Sequence, residues 1–265
     1  MDFTLKIYKQ LMKALINKGY EFVSMEKYQA KAGNKKIVIL RHDVDVRPDH
    51  SYKTAVIESD LGVSGTYYFR IVKQSFSKGI ISKIASLGHE IGYHYEDLAL
   101  AKGDYRKAIK LFEKNFNQFA GLYDVKTICM HGSPLSKFDN RLLWQKIHYS
   151  DYGIICEPYF DIDFSKVLYL TDTGRRWDGE KVSIRDKELV TGYASLSRSF
   201  KFHSTSDIIE AAENEILPNH IMLNFHPQRW TDDPILWSKE LIWQRIKNQV
   251  KRMVVKQKSK GEFEN

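Results

Sequence analysis

Short apolar runs alternate with amphipathic segments along most of the chain. Residues 4–18 carry apolar side chains at helical spacing, which predicts an N-terminal amphipathic helix. Residues 37–40, Ile-Val-Ile-Leu, form a continuous apolar run that is typical of a strand buried on both faces of a parallel sheet. Further strands are predicted at residues 65–70, 89–94, 126–131, 153–156, 167–171 and 220–225. Further helices are predicted at residues 49–60, 76–87, 105–119 and 234–256.

Strand–helix alternation over the whole length predicts an α/β fold with a parallel sheet. The sequence contains no linker, low-complexity stretch or internal repeat that would divide it. We therefore expect residues 1–265 to form a single barrel domain with an N-terminal helix and a basic C-terminal helix. No glycine-rich phosphate-binding loop follows any predicted strand, so the usual mark of nucleotide binding is missing.

Composition and charge narrow the class of partner only slightly. The 43% of hydrophobic residues allow a sizeable core, and 41 basic against 33 acidic side chains give a net charge of +8. Part of this excess lies between Lys247 and Lys260, without the aromatic residues that would stack on nucleic-acid bases. A solvated face of a terminal helix is therefore favoured over a nucleic-acid-binding tail.

The cysteines and the apolar segments bear on the cellular location. Cys129 and Cys156 lie far apart in apolar surroundings, which favours buried free thiols over a disulfide or a thiolate metal site. No segment approaches the roughly 20 apolar residues of a membrane span. No signal peptide is visible at the N-terminus, so we expect a cytoplasmic protein.

Potentially reactive side chains follow four of the predicted strands. They are Arg41, His42, Asp43, Asp45, His94, Glu96, Asp97, His131 and His226. The carboxyl ends of all strands of a barrel lie on one rim, where such enzymes assemble their sites. A single histidine at a strand end is more often structural than a ligand, but agreement between separate strand ends favours a site. Histidine nitrogens and aspartate oxygens suit zinc or a similar divalent cation, and in such sites one coordination position stays open for water.

Several of these segments resemble motifs of the polysaccharide deacetylases with NodB homology, which are grouped as carbohydrate esterase family four. The resembling segments are Leu40-Arg-His-Asp-Val-Asp45, Gly65-Thr-Tyr-Tyr-Phe69, Gly88-His-Glu-Ile-Gly-Tyr-His94 and Leu223-Asn-Phe-His226. The resemblance runs from about residue 37 to residue 230. It implies a distorted (β/α)7 barrel and hydrolysis of an N-acetyl group on an amino sugar.

The resemblance also implies roles for four residues. Asp43 would be the catalytic base, Asp45 and His94 would be metal ligands, and His226 would be the catalytic acid. The metal would be a divalent ion, with zinc as the first choice.

The chain departs from the family pattern at two points. The second motif usually continues to another histidine, but Leu98 stands there and cannot ligate a metal. The third motif usually offers an arginine that orients the base, but this chain has Met130-His-Gly-Ser-Pro134 at the matching strand end. We predict that His131 supplies the third ligand from a different strand, and that Arg41 takes over the orienting role beside Asp43.

A substrate pocket is predicted from aromatic and basic residues near two other strand ends. Trp177 is expected to form one wall for the apolar face of a sugar, and Arg175 or Arg176 to meet an anionic group. Asp172, Tyr95 and Trp230 complete the predicted substrate-binding set. A loop with a partly buried tryptophan is the alternative for residues 169–179.

The predicted function is removal of an N-acetyl group from an amino sugar or a sugar-linked precursor, in surface-glycan assembly. The expected partner is a carbohydrate or a sugar nucleotide, without nucleic acid or a membrane span. One alternative is a non-catalytic carbohydrate-binding protein on the same fold, which Leu98 motivates. Another is a hydrolase of a non-sugar amide. The sequence predicts no oligomeric state.

Overall fold

The computed structural model describes residues 1–28, 35–133, 136–177 and 200–261, with side chains described as far as residue 249. The strands are β1 (Glu21–Val23), β2 (Ile37–Val44), β3 (Thr66–Phe69), β4 (Glu90–Tyr95), β5 (Ile128–Met130), β6 (Leu168–Thr171) and β7 (His220–Phe225). The helices are α1 (Leu5–Asn17), α2 (Met25–Tyr28), α3 (Pro48–Asp60), α4 (Lys78–Ser86), α5 (Asp97–Leu100), α6 (Tyr105–Phe116), α7 (Pro158–Asp161), α8 (Thr205–Glu213) and α9 (Pro234–Gly261). Short 3-10 helices occupy Asn117–Phe119, Asn140–Gln145, Tyr149–Tyr152 and Pro227–Arg229.

Within the described residues the strands form one parallel sheet in the order β5-β4-β3-β2-β7-β6, and β1 also pairs with β2. This arrangement confirms the predicted α/β class, and the curled sheet with its helices is the distorted (β/α) barrel that the motif resemblance implied. Every residue of β2 is buried, as the continuous apolar run predicted. Among the described helices, none is both long enough and apolar enough to cross a bilayer.

Alternation along the strands separates the barrel interior from the outer layer. Ile37 and Ile39 of β2 pack inside with residues of β6 and β7, whereas Val38 and Leu40 pack outside with α1 and α8. Because strand side chains alternate, Arg41 and Asp43 share the interior face with Ile37 and Ile39. The strand therefore delivers both charged groups to the inside of the barrel near its carboxyl end.

Gly92 of β4 creates room for a side chain of the neighbouring strand inside the barrel. A Cβ built at this position would lie 2.3 Å from the Tyr68 ring and 2.9 Å from the Thr127 carbonyl oxygen. Only glycine leaves this space open, and His94 follows two residues later on the same face. The glycine of the second motif thus lets β3, β4 and β5 pack closely beneath the site.

The observed elements differ from the predicted ones at several points. The strand predicted at 153–156 is reduced to one isolated bridge, between Thr127 and Cys156, because a 3-10 helix capped by His148 ends at Tyr152, directly before this segment. The first core strand is longer than residues 37–40 and runs through the motif to Val44. Strand β1 and helix α8 were not predicted from the apolar pattern.

Candidate metal centre and active site

Strand β2 and the turn after it position the two aspartates of the first motif. Asp43 lies near the end of the strand, and the Asp45 backbone N–H donates to the Asp43 carbonyl oxygen at 3.1 Å. Ser75 donates its hydroxyl to the Val44 carbonyl, which ties the strand end to the following loop. One residue between the acids therefore places Asp43 on the sheet and Asp45 just beyond it.

Arg41 holds Asp43 through two parallel hydrogen bonds inside the barrel. Its Nε donates to Asp43 Oδ1 and its Nη2 to Oδ2, each at 2.8 Å, and the Asn224 amide donates to Oδ2 at 3.1 Å. Burial by itself would raise the pKa of Asp43, but Arg41, followed by His94 and His226, holds that pKa well below its usual range. Asp43 is therefore an ionised, oriented carboxylate at neutral pH.

His94 directs its Nε2 atom, which carries no hydrogen, toward the two aspartates. Its Nδ1–H donates to the Cys129 carbonyl oxygen at 2.9 Å, which fixes the tautomer. Its Nε2 lies 3.7 Å from Asp45 Oδ1 and 3.9 Å from Asp43 Oδ2. Burial lowers the pKa of His94 to about 4 in spite of the nearby Asp43, so the ring is neutral at pH 7, as metal ligation requires.

His131, at the end of β5, is oriented in the same way by a carboxylate. Its Nδ1–H donates to Glu96 Oε2 at 2.8 Å, and its Nε2 lies 3.5 Å from Asp45 Oδ1. Arg70 binds the other oxygen of Glu96 at 2.6 and 2.9 Å, and Ser133 donates to Oε2 at 3.3 Å. Burial would raise the pKa of Glu96, but its hydrogen bond from His131 and the charge of Arg70 lower it to about 2. Sequence reasoning noted Glu96 at a strand end but gave it no role, and it missed Arg70.

The donor atoms of Asp45, His94 and His131 all lie within 4.8 Å of one another. Asp45 Oδ1, which both histidines face, is buried and has no hydrogen-bond partner among the described residues. Burial would raise the pKa of Asp45, but the three imidazoles of His131, His226 and His94 lower it to about 2. A buried, ionised and unpartnered oxygen between two oriented imidazoles fits a divalent cation.

Asp43, His94 and Cys129 form a second group with the same spacing. It fits a cation less well, because both Asp43 oxygens already accept hydrogen bonds from Arg41, and one of them also accepts from Asn224. The group with Asp45 and His131 is therefore the better candidate centre.

His226, directly after β7, faces the other oxygen of Asp45, Oδ2. Its Nδ1–H donates to Asp172 Oδ1 at 2.6 Å, while its Nε2 lies 3.9 Å from Asp45 Oδ2. Asp172 also accepts from Arg229 at 2.6 Å, from the Trp230 indole at 2.7 Å and from the His226 backbone N–H at 3.0 Å. Burial would raise the pKa of Asp172, but Arg229 and His226 lower it. A buried carboxylate thus fixes the tautomer and direction of His226.

The predicted substrate-binding residues occupy the core instead of an open pocket. Asp172 and Trp230 are fully buried and hydrogen-bonded to each other. Tyr95 is also fully buried and donates its hydroxyl to Glu157 at 3.3 Å. The substrate-binding role predicted for these three is corrected, because Asp172 orients His226 and the two aromatic side chains pack beneath the site.

The same correction applies to Trp177 and Arg175. Trp177 lies in the outer core cluster, and its indole donates to Thr205 Oγ1 at 3.0 Å. Arg175 is buried, donates to the Trp237 carbonyl oxygen at 2.9 Å and lies 4.3 Å from the centre of the Trp237 ring. Their spacing near a strand end could not distinguish a sugar-facing loop from a loop covered by α9.

Leu98 lies in α5 and packs in the apolar cluster outside the barrel, beside residues such as Tyr93 and Phe112. Its side chain serves the hydrophobic core. His131, directly after the next strand, contacts one oxygen of Glu96, and Arg70 contacts the other.

His42 projects from β2 to the side opposite Arg41 and Asp43. Its Nε2 lies 2.8 Å from Glu58 Oε1, and its ring stacks on Tyr67 with the centroids 4.0 Å apart. Tyr8 donates its hydroxyl to the same Glu58 oxygen, and His89 Nδ1 lies 3.5 Å from the other. This buried network holds the motif strand from behind, and its histidines do not reach the candidate centre.

No protein-family model matches this chain, and no curated protein matches it. Among solved structures, a wild-type family-four carbohydrate esterase pseudoenzyme from Bacillus anthracis matches at 14% identity and a TM-score of 0.42, over 80% of this chain and 61% of the other. A family-four carbohydrate esterase from the same organism matches at 13% identity and a TM-score of 0.40, over 90% and 84%. PdaA of Bacillus subtilis, also a family-four carbohydrate esterase, matches at 15% identity and a TM-score of 0.38, over 89% and 84%.

The chain resembles family-four carbohydrate esterases. It spans less than two thirds of the length of the pseudoenzyme that it matches. Likenesses this distant carry no argument about activity, and the matched structures include both esterases and a pseudoenzyme. What this chain does therefore depends on what its own site residues can do.

Proposed function

We propose that this chain is a metal-dependent hydrolase that removes the acetyl group from an N-acetylated amino sugar. The observation that carries the proposal is the buried Oδ1 of Asp45, which has no hydrogen-bond partner in the described part of the chain and which His94 and His131 face with their Nε2 atoms. A base candidate and an acid candidate, Asp43 and His226, lie beside it, and each is held by its own charged partner.

Asp45, His94 and His131 would hold the cation, with zinc as the first choice because two imidazoles and one carboxylate suit it. A divalent ion bound there supplies a Lewis acid for the acetyl carbonyl and lowers the pKa of water toward neutrality. The motif resemblance supports Asp45 and His94 in this role. His131 is our own assignment, supported by its distance of 3.5 Å from Asp45 and by its hydrogen bond to Glu96.

Asp43 would accept the proton of the attacking water while that water adds to the carbonyl carbon. The two hydrogen bonds from Arg41 keep the carboxylate ionised and fixed in direction, which is the orienting role predicted for Arg41. His226 would then donate its Nε2 proton to the amide nitrogen as the carbon–nitrogen bond breaks. Asp172 stabilises the protonated imidazole, because its carboxylate accepts the Nδ1 hydrogen at 2.6 Å. The products are acetate and a free amine.

A nucleotide- or lipid-linked amino sugar used in surface-glycan assembly is the substrate we favour, in a cytoplasmic protein. The support is the motif resemblance and the net charge of +8, which suits a phosphorylated carrier.

Metal content is the first test. Protein purified without chelator should contain one equivalent of divalent metal, and Asp45→Ala and His131→Ala should lose it. His148→Ala is the matched control, because His148 is exposed and outside the site. Full occupancy in His131→Ala would refute the third ligand. Absence of metal even after zinc or cobalt is supplied would favour the non-catalytic alternative.

Acetate release is the second test, measured on N-acetylated sugar nucleotides and on simple non-sugar amides. The proposal predicts release from the sugars, with loss of kcat in Asp43→Asn and His226→Ala. Release only from non-sugar amides would support the second alternative. Binding of sugars by a metal-loaded protein that releases no acetate from any of them would refute the catalytic role.

A further inference from the structure

Helix α9 leaves a row of large apolar side chains in solvent. Ile235, Ile242, Trp243 and Ile246 are 66%, 59%, 54% and 48% exposed, and their spacing places them on one side of the helix. Ten large apolar side chains are exposed among the residues that the structure describes, and four of them are grouped here. We call these four residues the apolar stripe. Grouped apolar side chains in solvent indicate an interaction site, whereas single ones do not.

The side of α9 that packs against the barrel carries polar side chains. Glu240 and Gln244 are buried there, and the Gln244 amide donates to Asn248 Oδ1 at 2.8 Å. The Asn248 amide in turn donates to the Gly174 carbonyl oxygen at 2.9 Å. A surface helix ordinarily directs its apolar side chains to the core and its polar side chains to water. Because α9 largely reverses this pattern, packing onto its own domain does not explain the apolar stripe.

Basic residues accompany the apolar stripe. The sequence of α9 contains eight lysines and arginines and one acidic residue, the buried Glu240. Lys239 and Arg245 are exposed, and Lys247 Nζ lies 5.3 Å from the centre of the Trp243 ring. Long basic side chains can lay their methylene groups along an apolar surface and keep the charge in water. Helix α9 therefore combines exposed apolar side chains with a strong positive charge.

This charge distinguishes between the partners that could cover the apolar stripe. A second copy of α9 would bring the same excess of basic residues against the first, and like charges repel. A coiled coil would also need apolar residues at three positions where Ser238, Arg245 and Gln249 stand. A nucleic acid would match the charge but leave the isoleucines in water. The surface of an anionic lipid bilayer matches both features, because its headgroups are negative and its interface accepts tryptophan and isoleucine side chains.

Helix α9 lies at the same rim of the barrel as the candidate metal centre. Arg175 donates to the Trp237 carbonyl oxygen of α9 at 2.9 Å. Arg175 belongs to the turn that begins at Asp172, the carboxylate that orients His226. A surface bound by α9 would therefore lie beside the loop that supports the proposed acid.

We infer that α9 binds the surface of an anionic lipid bilayer. The apolar stripe enters the headgroup layer, and the basic side chains of the helix pair with lipid phosphates. The helix lies on the bilayer, and binding requires no chemistry at the metal centre. Where the inference bears on the substrate it rests on the proposed function, and it then favours a lipid-linked amino sugar over a nucleotide-linked one.

Vesicle sedimentation tests the inference with the full chain. The probes are vesicles of phosphatidylglycerol and phosphatidylcholine in equal parts, and vesicles of phosphatidylcholine alone. The chain should sediment with the anionic vesicles, remain in solution with the neutral ones, and bind less tightly at high salt. Trp243→Ala should weaken binding to the anionic vesicles by about tenfold, because a large apolar contact is lost. Arg245→Gln should weaken it by about fivefold, because one charge near the headgroups is removed.

Two exposed side chains elsewhere provide matched controls. Ile216 is 60% exposed, and the Lys107 side chain is 78% exposed. Ile216→Ala and Lys107→Gln should therefore bind the anionic vesicles like the wild type. Trp243→Phe should retain most of the binding, because it keeps a large apolar ring at this position. It should also reduce the blue shift of tryptophan emission that the wild type shows with anionic vesicles.

Four outcomes would overturn the inference. The first is a wild-type chain that does not sediment with anionic vesicles, and the second is equal binding to neutral ones. The third is vesicle binding that Trp243→Ala leaves unchanged, together with tighter binding to duplex DNA, which would assign the basic residues to nucleic acid. The fourth is a dimer that binds no vesicles and that Trp243→Ala dissociates, which would make the apolar stripe an interface between copies of the chain.

The same variants separate this inference from the proposed function. Vesicle binding that Trp243→Ala weakens and the controls retain would support the inference even if the chain releases no acetate from any substrate. If the chain does release acetate from a soluble sugar nucleotide, Trp243→Ala should release it at the wild-type rate, because Trp243 lies outside the candidate centre.

Discussion

Replacing Arg41 with methionine removes both hydrogen bonds that hold Asp43, while keeping a side chain of similar length in the barrel. Arg41 and Asp43 have side-chain exposures of only 1% and 6%, so Asp43 would be left as a buried charge, with Asn224 as its one remaining hydrogen-bond donor among the residues that the structure describes. Removing one partner of a buried ion pair costs about 3–5 kcal/mol of unfolding free energy. For a chain of this length, that loss should lower the melting temperature by about 10 °C.

The chain contains a matched control for this substitution. Arg141 binds Asp139 with the same two-residue spacing and the same bidentate geometry, but the side chains are 19% and 14% exposed. Arg141→Met should cost about 1 kcal/mol or less, since solvent compensates the carboxylate that is left behind. Both variants would be measured by urea denaturation at pH 7. Adding Asp43→Asn to Arg41→Met should recover part of the loss, because the second change removes the stranded charge.

The pH dependence of the Arg41→Met effect gives the sharper test. The folded pKa of Asp43 is below the value of about 3.9 for an unfolded aspartate, so the ion pair stabilises the wild type above that value, and its contribution is lost only as the pH falls through the folded pKa. Without Arg41, burial should raise the pKa of Asp43. Protonation of Asp43 in mild acid should then recover part of the lost unfolding free energy of the variant. The difference in stability should therefore shrink between pH 7 and pH 4. The prediction is wrong if Arg41→Met loses no more unfolding free energy than Arg141→Met, or if its loss does not change with pH.

Three further substitutions test the groups around the centre. Asp172→Asn should lower kcat by about a thousandfold, because the amide cannot stabilise the protonated His226; unchanged kcat in a folded variant would contradict the assigned role. Glu96→Gln should weaken metal binding by about 10–100-fold in a chelator competition, because His131 loses its charged acceptor; unchanged affinity would argue against His131 as a ligand. Leu98→His should not raise metal stoichiometry and should destabilise the fold by about 2–4 kcal/mol in thermal unfolding, because it buries an imidazole in an apolar cluster.

The grouping of reactive side chains at the strand ends could be predicted from the sequence for two reasons. Parallel strands place all their carboxyl ends on one rim, which is why residues as distant as Asp45, His94, His131 and His226 meet in space. Strand side chains alternate between the two faces of the sheet with a period of two residues, so Arg41 lies on the same face as Asp43. Both placements need only the order of residues within strands, and the continuous apolar run of β2 marks that strand as buried.

Side-chain direction within loops and short helices could not be obtained in this way. Asp172 and Trp177 were predicted to face a sugar, but α9 and the N-terminal segment cover that region, and Asp172 turns inward to His226. Burial of this kind depends on which distant segment packs over a loop, and no local pattern reports it. Glu96 is a similar case, because its role depends on contacts with Arg70 and His131, which directly follow two other strands.

The sequence by itself determined the α/β class, the rim that carries the chemistry and the identity of the charged side chains at the strand ends. Only the tertiary structure decided that no described residue donates a hydrogen bond to Asp45 Oδ1, whereas Asp43 accepts hydrogen bonds from Arg41 and Asn224. It also decided that Leu98 packs in the core while His131 faces Asp45. The physical reason is that pairing and burial arise from contacts between strands, so the same residue types become a ligand, a base or a core side chain according to what packs against them.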